Sequence, residues 1–159
     1  MIIDSRAEFC DAAALDTGAA GAYPSIGKLY DLIQGGLAVY GINAIKALPG
    51  NSDSCYFVAS VQTTCTSGGS ATLQLRLMSD AQDPMVAASA TEHYKSPTFA
   101  VADLVAGKQL CCIELPRGDY ERYLGVVQDT GTAAFTAGKI DAYLTFDPPA
   151  RDIVADALA

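Results

Sequence analysis

Apolar and polar residues alternate along two long stretches near the C-terminal end of the chain. From Tyr120 to Asp129, the residues Tyr120, Arg122, Leu124, Val126 and Gln128 fall on one face of an extended strand. Glu121, Tyr123, Gly125, Val127 and Asp129 fall on the other. The second stretch is cleaner: Ile140, Ala142, Leu144 and Phe146 point one way, and Lys139, Asp141, Tyr143, Thr145 and Asp147 the other. A period of two with one apolar face marks antiparallel strands packed on a core. Thr130, Gly131, Thr132, Ala133 and Ala134, with Gly138 beyond them, suit a loop or bulged return. The two strands are therefore expected to form a hairpin at the centre of an all-β domain.

The same rhythm recurs earlier. Cys55, Phe57, Ala59, Val61 and Thr63 line one face of a predicted strand, and Ala71, Leu73, Leu75 and Leu77 alternate with Thr72, Gln74, Arg76 and Met78 in another. Ser67-Gly68-Gly69-Ser70 between them reads as a hairpin turn, because two glycines can supply positive φ angles. Leu37–Ile45, Met85–Tyr94, Thr98–Leu104 and Gln109–Leu115 are further strand candidates. Turn signals at Pro49–Asp53, Ser96-Pro97, Ala106–Lys108 and Pro116–Asp119 separate them. About eight antiparallel strands at intervals of about 8 to 12 residues predict a jelly roll or β-sandwich.

Residues 1–28 read as an N-terminal arm outside the core. Ser5-Arg6-Ala7-Glu8 has the spacing of a helix capping box, yet Ile3, Ser5, Ala7 and Phe9 alternate, so a short helix and an extended arm are both open. The expected β domain spans 29–147, and Pro148-Pro149 opens a short C-terminal tail over 148–159.

The chain of 159 residues is long enough to bury a core as one domain. Its formal net charge of -8 gives a surface that repels a phosphate backbone, so no nucleic-acid partner is expected. No apolar run approaches the roughly 20 residues a spanning helix needs, so no membrane partner is expected either. Met1-Ile2-Ile3-Asp4-Ser5-Arg6 lacks a basic region followed by an apolar stretch, which predicts a chain kept in the cytosol. The five cysteines, Cys10, Cys55, Cys65, Cys111 and Cys112, are then expected as thiols. On one strand Cys55 and Cys65 would stand about 33 Å apart, at roughly 3.3 Å per residue, beyond the reach of a disulfide. Cys111 and Cys112 point to opposite faces, and all five read as small core or near-core residues.

Candidate chemistry is sparse. His93 is the only histidine, so a Ser-His-Asp or Cys-His site would need it as base, with Glu92, Asp119 or Asp129 to orient it. A lone histidine near a strand end is more often a surface or packed residue, and it cannot supply a cage of several imidazoles. The cysteines lack the Cys-x-x-Cys spacing of a zinc site. Asn51-x-Asp53 lacks the glycine and distal glutamate of a calcium loop. Gly35-Gly36 and Gly68-Gly69 are not followed by Lys-Ser or Lys-Thr, so no phosphate loop is indicated. Arg117-Gly118-Asp119 matches an integrin-binding tripeptide, but a turn explains it without a receptor. The sequence thus predicts no catalytic, cofactor-binding or metal-ligating residue and no cofactor. Eight tyrosines could serve an interface.

Four segments carry a resemblance. They are Met1-Ile2-Ile3-Asp4-Ser5-Arg6 with Asp11-Ala12-Ala13-Ala14-Leu15; Ser67-Gly68-Gly69-Ser70-Ala71-Thr72-Leu73-Gln74; Tyr120-Glu121-Arg122-Tyr123-Leu124-Gly125-Val126; and Gly138-Lys139-Ile140-Asp141-Ala142-Tyr143-Leu144-Thr145. In this order they resemble the Bbp16-like family of phage capsid cement proteins. The resemblance implies a jelly-roll protein that decorates the outside of an icosahedral head built from an HK97-like major capsid protein. It implies as partners that capsid protein and further copies of the chain at local symmetry axes. It implies a place on the outer surface of the virion after synthesis in the bacterial host cytoplasm. The family is not known for catalytic motifs, so a non-enzymatic, structural role is expected. Another virion part, such as a head-fibre base or tail component, and a carbohydrate-binding β-sandwich are the alternatives.

Overall fold

The computed structural model describes residues 8–23, 25–32, 55–116 and 118–146. Among them run ten strands: β1 (Glu8–Ala14), β2 (Gly21–Tyr23), β3 (Tyr30–Asp31), β4 (Tyr56–Ser67), β5 (Thr72–Asp80), β6 (Thr91–Lys95), β7 (Phe99–Ala100), β8 (Gln109–Glu114), β9 (Tyr123–Gly131) and β10 (Phe135–Thr145). A short 3-10 turn covers Val101–Asp103. The first sheet has the order β1-β10-β4-β8, and the second β2-β9-β5-β6, with β3 also on β9 and β7 also on β5. Every pairing is antiparallel. The molecule is the all-β sandwich that the alternation predicts. The expected strand Leu37–Ile45, the turn Pro49–Asp53 and the tail 148–159 lie outside the described residues.

The inner faces are those read from the period of two. Phe57, Ala59 and Val61 of β4 and Ile140, Ala142 and Leu144 of β10 face Leu73, Leu75 and Leu77 of β5 and Leu124 and Val126 of β9 in one core. The Phe9 ring meets Tyr30 and Phe57 edge-on, with centroids 4.6 and 5.9 Å apart. Phe146, expected on the inner face, is instead 38% exposed, because β10 ends one residue earlier. Of the expected strand Met85–Tyr94, only the part from Thr91 onward is strand, as β6, which pairs along β5.

The predicted hairpins are corrected. β9 and β10 do not pair, and neither do β4 and β5; each turn carries the chain from one sheet to the other. β4 lies beside β10, with Phe57 opposite Leu144, while β5 lies beside β9, with Leu75 opposite Gln128. The two crossings run side by side. The Thr66 and Thr136 hydroxyls are 2.8 Å apart, and Ser67 Oγ donates to the Ala134 carbonyl at 2.6 Å. A Cβ on Gly69 would stand 3.0 Å from that of Ala133. Neither Gly68 nor Gly69 takes the positive φ that a two-residue hairpin demands. With four apolar ribbons to bury, stacking two against two covers both inner faces, whereas a single four-stranded sheet would leave one bare.

The expected arm over 1–28 is also corrected from residue 8 onward. The segment is extended, one of the two open readings, but it is an integral strand. Phe9 and Leu15 are buried in the core, and β1 pairs with β10. Residues 25–32 then strap the two sheets together. Ile26 N donates to Val126 O of β9 at 2.8 Å, Lys28 N to Phe9 O of β1 at 2.8 Å, and Leu32 N to Arg122 O at 2.8 Å.

A second, smaller apolar cluster sits on the outer face of the second sheet. Met78 and Val127 are covered there by Met85, with Leu29, Ala87 and Ala90 around them. Gly125 makes room for it, since a Cβ at that position would lie 2.4 Å from Leu29 Cδ2 and 3.2 Å from Met85 Cε. The loop that carries Met85 is tied down by Asp80, which is 4% exposed. Its carboxylate accepts Gln82 N–H at 3.1 Å and Val86 N–H at 2.9 Å. Asp80→Ala is expected to cost about 2 kcal/mol, the scale of hydrogen bonds to a charged acceptor, read as a lower urea midpoint at unchanged slope.

Candidate functional site

His93 is the one candidate base, and its surroundings are well defined. β6 presents it to β5, where its Nε2 lies 2.7 Å from the Ser79 hydroxyl. Ser79 Oγ also accepts the backbone N–H of Glu121 at 3.0 Å. The Tyr120 ring stacks on the imidazole, with centroids 3.9 Å apart and planes 19° from parallel. Burial pushes the imidazole below its ordinary value, and the Glu121 carboxylate partly offsets this.

The set Ser79, His93 and Glu121 has the composition of a nucleophile, base and acid, but not the geometry. Ser79 is 0% exposed, so its oxygen cannot meet a solvent-borne substrate. The Glu121 carboxylate accepts the Thr91 hydroxyl at 2.7 Å. Of the acids expected to orient His93, Glu92 and Asp129 reach Arg76 at 3.6 and 3.0 Å on the outer face of the second sheet. Asp119 is exposed. Sequence reasoning missed Ser79 and Glu121 as partners. The signal for Ser79 was a serine that continues the apolar face of Leu73, Leu75 and Leu77. None pointed to Glu121, whose segment comes alongside β6 only in the folded chain.

The cysteines match their expected role. All five are free; Cys10, Cys55, Cys65 and Cys111 are buried and Cys112 is half-buried. Desolvation raises the Cys10, Cys55 and Cys111 thiols to about 12 and Cys65 to about 11. Brief treatment of the folded protein with iodoacetamide near neutral pH is expected to label Cys112 alone. Peptide mapping reads the result, and equal labelling of Cys111 would contradict the burial.

Other features bind the molecule to itself. Arg122 grips Asp31 with two nitrogens, Nε at 3.2 Å from both carboxylate oxygens and a terminal nitrogen at 2.7 Å from one, fastening β3 to the start of β9. A polar cavity of about 330 Å³ opens between Leu15–Thr17, Ser25–Gly27 and Gln128. Gln128 spends its amide on the protein: Oε1 accepts Asp16 N–H at 2.8 Å, and Nε2 donates to Asp16 O at 3.1 Å and to Thr130 Oγ1 at 2.7 Å. Among the described residues no group of three or more His, Cys, Asp and Glu side chains could hold a metal ion. No helix among them is long and apolar enough to cross a membrane. Of the Arg117-Gly118-Asp119 tripeptide, Arg117 lies outside the described residues, and Gly118 and Asp119 are exposed.

The class defined so far is a two-sheet antiparallel β-sandwich whose one histidine is stacked and hydrogen-bonded within the protein. The Bbp16 family model matches residues 40–144, most of the chain, and the protein belongs to the Bbp16 family, which is phage-related. The matched region takes in the Ser67–Gln74 and Tyr120–Val126 segments and Gly138–Leu144, while the segment up to Leu15 precedes it. No curated protein matches the chain.

Proposed function

We propose that the protein is a capsid cement protein. It binds the outside of an icosahedral phage head and holds neighbouring HK97-like major capsid subunits together, without catalysis or cofactor. Membership of a phage-related family is the observation that carries this reading. A rigid two-layer body, tied across its layers by the 25–32 strap, suits a part that must resist being pulled open. The net charge of -8 suits dense display on a particle surface and disfavours contact with the packaged genome.

The physical mechanism is linkage. A protein that binds the assembled shell and not its separated pieces stabilises the shell by mass action. Copies clustered at local symmetry axes engage several capsid subunits at once, so weak single contacts multiply through effective concentration. Particles carrying the protein are expected to rupture at a higher temperature than particles stripped of it, measured by release of DNA to an intercalating dye. Equal rupture temperatures would remove the cementing role. Band quantitation of purified virions should give a copy number near that of the capsid protein. A few copies per particle would instead favour a head-fibre base or tail part.

A further inference from the structure

The cementing role proposed above does not call on the cluster around His93. That cluster gathers where the segment Gly118–Arg122, which lies outside the strands, crosses β5 and β6. Five contacts build the cluster. Ser79 Oγ accepts Glu121 N–H at 3.0 Å and shares a hydrogen with His93 Nε2 at 2.7 Å. Tyr120 stacks on the imidazole and donates its hydroxyl to Pro116 O at 2.6 Å. Thr91 donates to the Glu121 carboxylate at 2.7 Å.

Counting protons shows what this arrangement tolerates. A hydroxyl has one proton to give and can accept two hydrogen bonds. With a neutral imidazole protonated at Nδ1, Ser79 donates to Nε2 and accepts from Glu121, and all three groups are satisfied. An imidazolium carries N–H at both nitrogens. Ser79 would then have to accept twice, and its own proton would be left without its acceptor inside the protein, since Ser79 is 0% exposed. We propose that His93, Ser79 and Glu121 form an acid-triggered latch: the neutral ring clamps Gly118–Arg122 to β5 and β6, and protonation of the ring releases the segment.

The charged groups on the packed elements are Arg76 and Asp80 on β5, Glu92 and Lys95 on the ring's own strand, and Asp119, Glu121 and Arg122 on the clamped segment. Arg76 is engaged with Glu92 and Asp129, Arg122 with Asp31, and Asp80 with the backbone of its own loop. Glu121 favours the imidazolium, and burial outweighs it. A histidine with a depressed folded value stabilises the fold fully above its unfolded value of about 6.5 and loses that contribution as pH falls through the folded value.

The test is amide hydrogen exchange at Glu121, expressed as a protection factor, followed by NMR from about pH 7.5 to about pH 5 alongside the His93 ring titration in the same sample. The ring is expected to titrate below about 6.5, with Glu121 protection falling in step by roughly tenfold for each unit of depression. In His93→Gln, whose amide can accept from Ser79 without titrating, protection should not change with pH. Constant Glu121 protection while the wild-type ring titrates would overturn the proposal, as would an unchanged pH dependence in the Gln variant. The wild-type measurement decides the matter even where the variant does not fold.

Discussion

Gly27→Ala is expected to be among the most damaging single substitutions in the described part of the chain, costing about 3 kcal/mol or more. A Cβ at this position would lie 2.1 Å from the Phe9 carbonyl oxygen and 2.6 Å from Cys10 Cβ. The first obstacle is backbone, so no side-chain rotation relieves it. The residue also has φ +77, in the left-handed region that L side chains adopt at a cost. Relief requires the strap to lift from β1, which breaks the hydrogen bond from Lys28 N to Phe9 O. Gly107 is the control: its φ is +86, but nothing lies within 4 Å of an added Cβ. Gly107→Ala should therefore cost only the conformational part, about 1 kcal/mol. Urea unfolding of the two variants reads the difference. Equal losses would show that the close approach to β1 contributes nothing.

The second large effect is expected at Gln128, which is 0% exposed. Gln128→Leu keeps the size and burial of the side chain and removes its three hydrogen bonds. The Asp16 N–H and carbonyl and the Thr130 hydroxyl lose their partner together. Leaving buried polar groups unpaired costs about 1 to 3 kcal/mol each where water cannot reach them. Because the cavity beside Asp16 is open to solvent, water can recover part of this, and a net loss of about 3 kcal/mol is expected. Exchange of the Asp16 amide should accelerate more than that of the β5 amides. Unchanged stability would mean that the amide only fills space.

These two positions show what the sequence reveals and what it hides. The apolar faces of β4, β5, β9 and β10 were legible because a period of two needs only local order. The choice between hairpin and crossing was not, because both keep the same side chains inward. Only the competition among four apolar ribbons decides it. The strand character of Glu8–Ala14 was masked by a capping-box spacing and three alanines. What makes it core is Phe9, whose partners Tyr30 and Phe57 are distant in sequence. Gln128 was visible as a polar residue on an otherwise apolar face. That oddity foreshadows a buried hydrogen-bonding post, but not which loop it holds. For the His93 cluster, the sequence supplied the histidine and its low catalytic promise; the serine and the glutamate came from the fold.

The paired crossings between the layers also set the order in which this molecule can be made. Tyr56 in β4 is matched to Thr145 at the far end of β10, and Thr72 in β5 to Gly131 in β9. Neither layer can be assembled from neighbouring stretches alone: until β10 is present, β4 has β8 on one side and nothing on the other, and β1 has no ladder partner. Such non-local pairing requires long loops to close before any contact rewards them, which makes folding slow and all-or-none. The first layer therefore closes only once β10 is available, in a late step that brings strands from opposite ends of the described chain side by side.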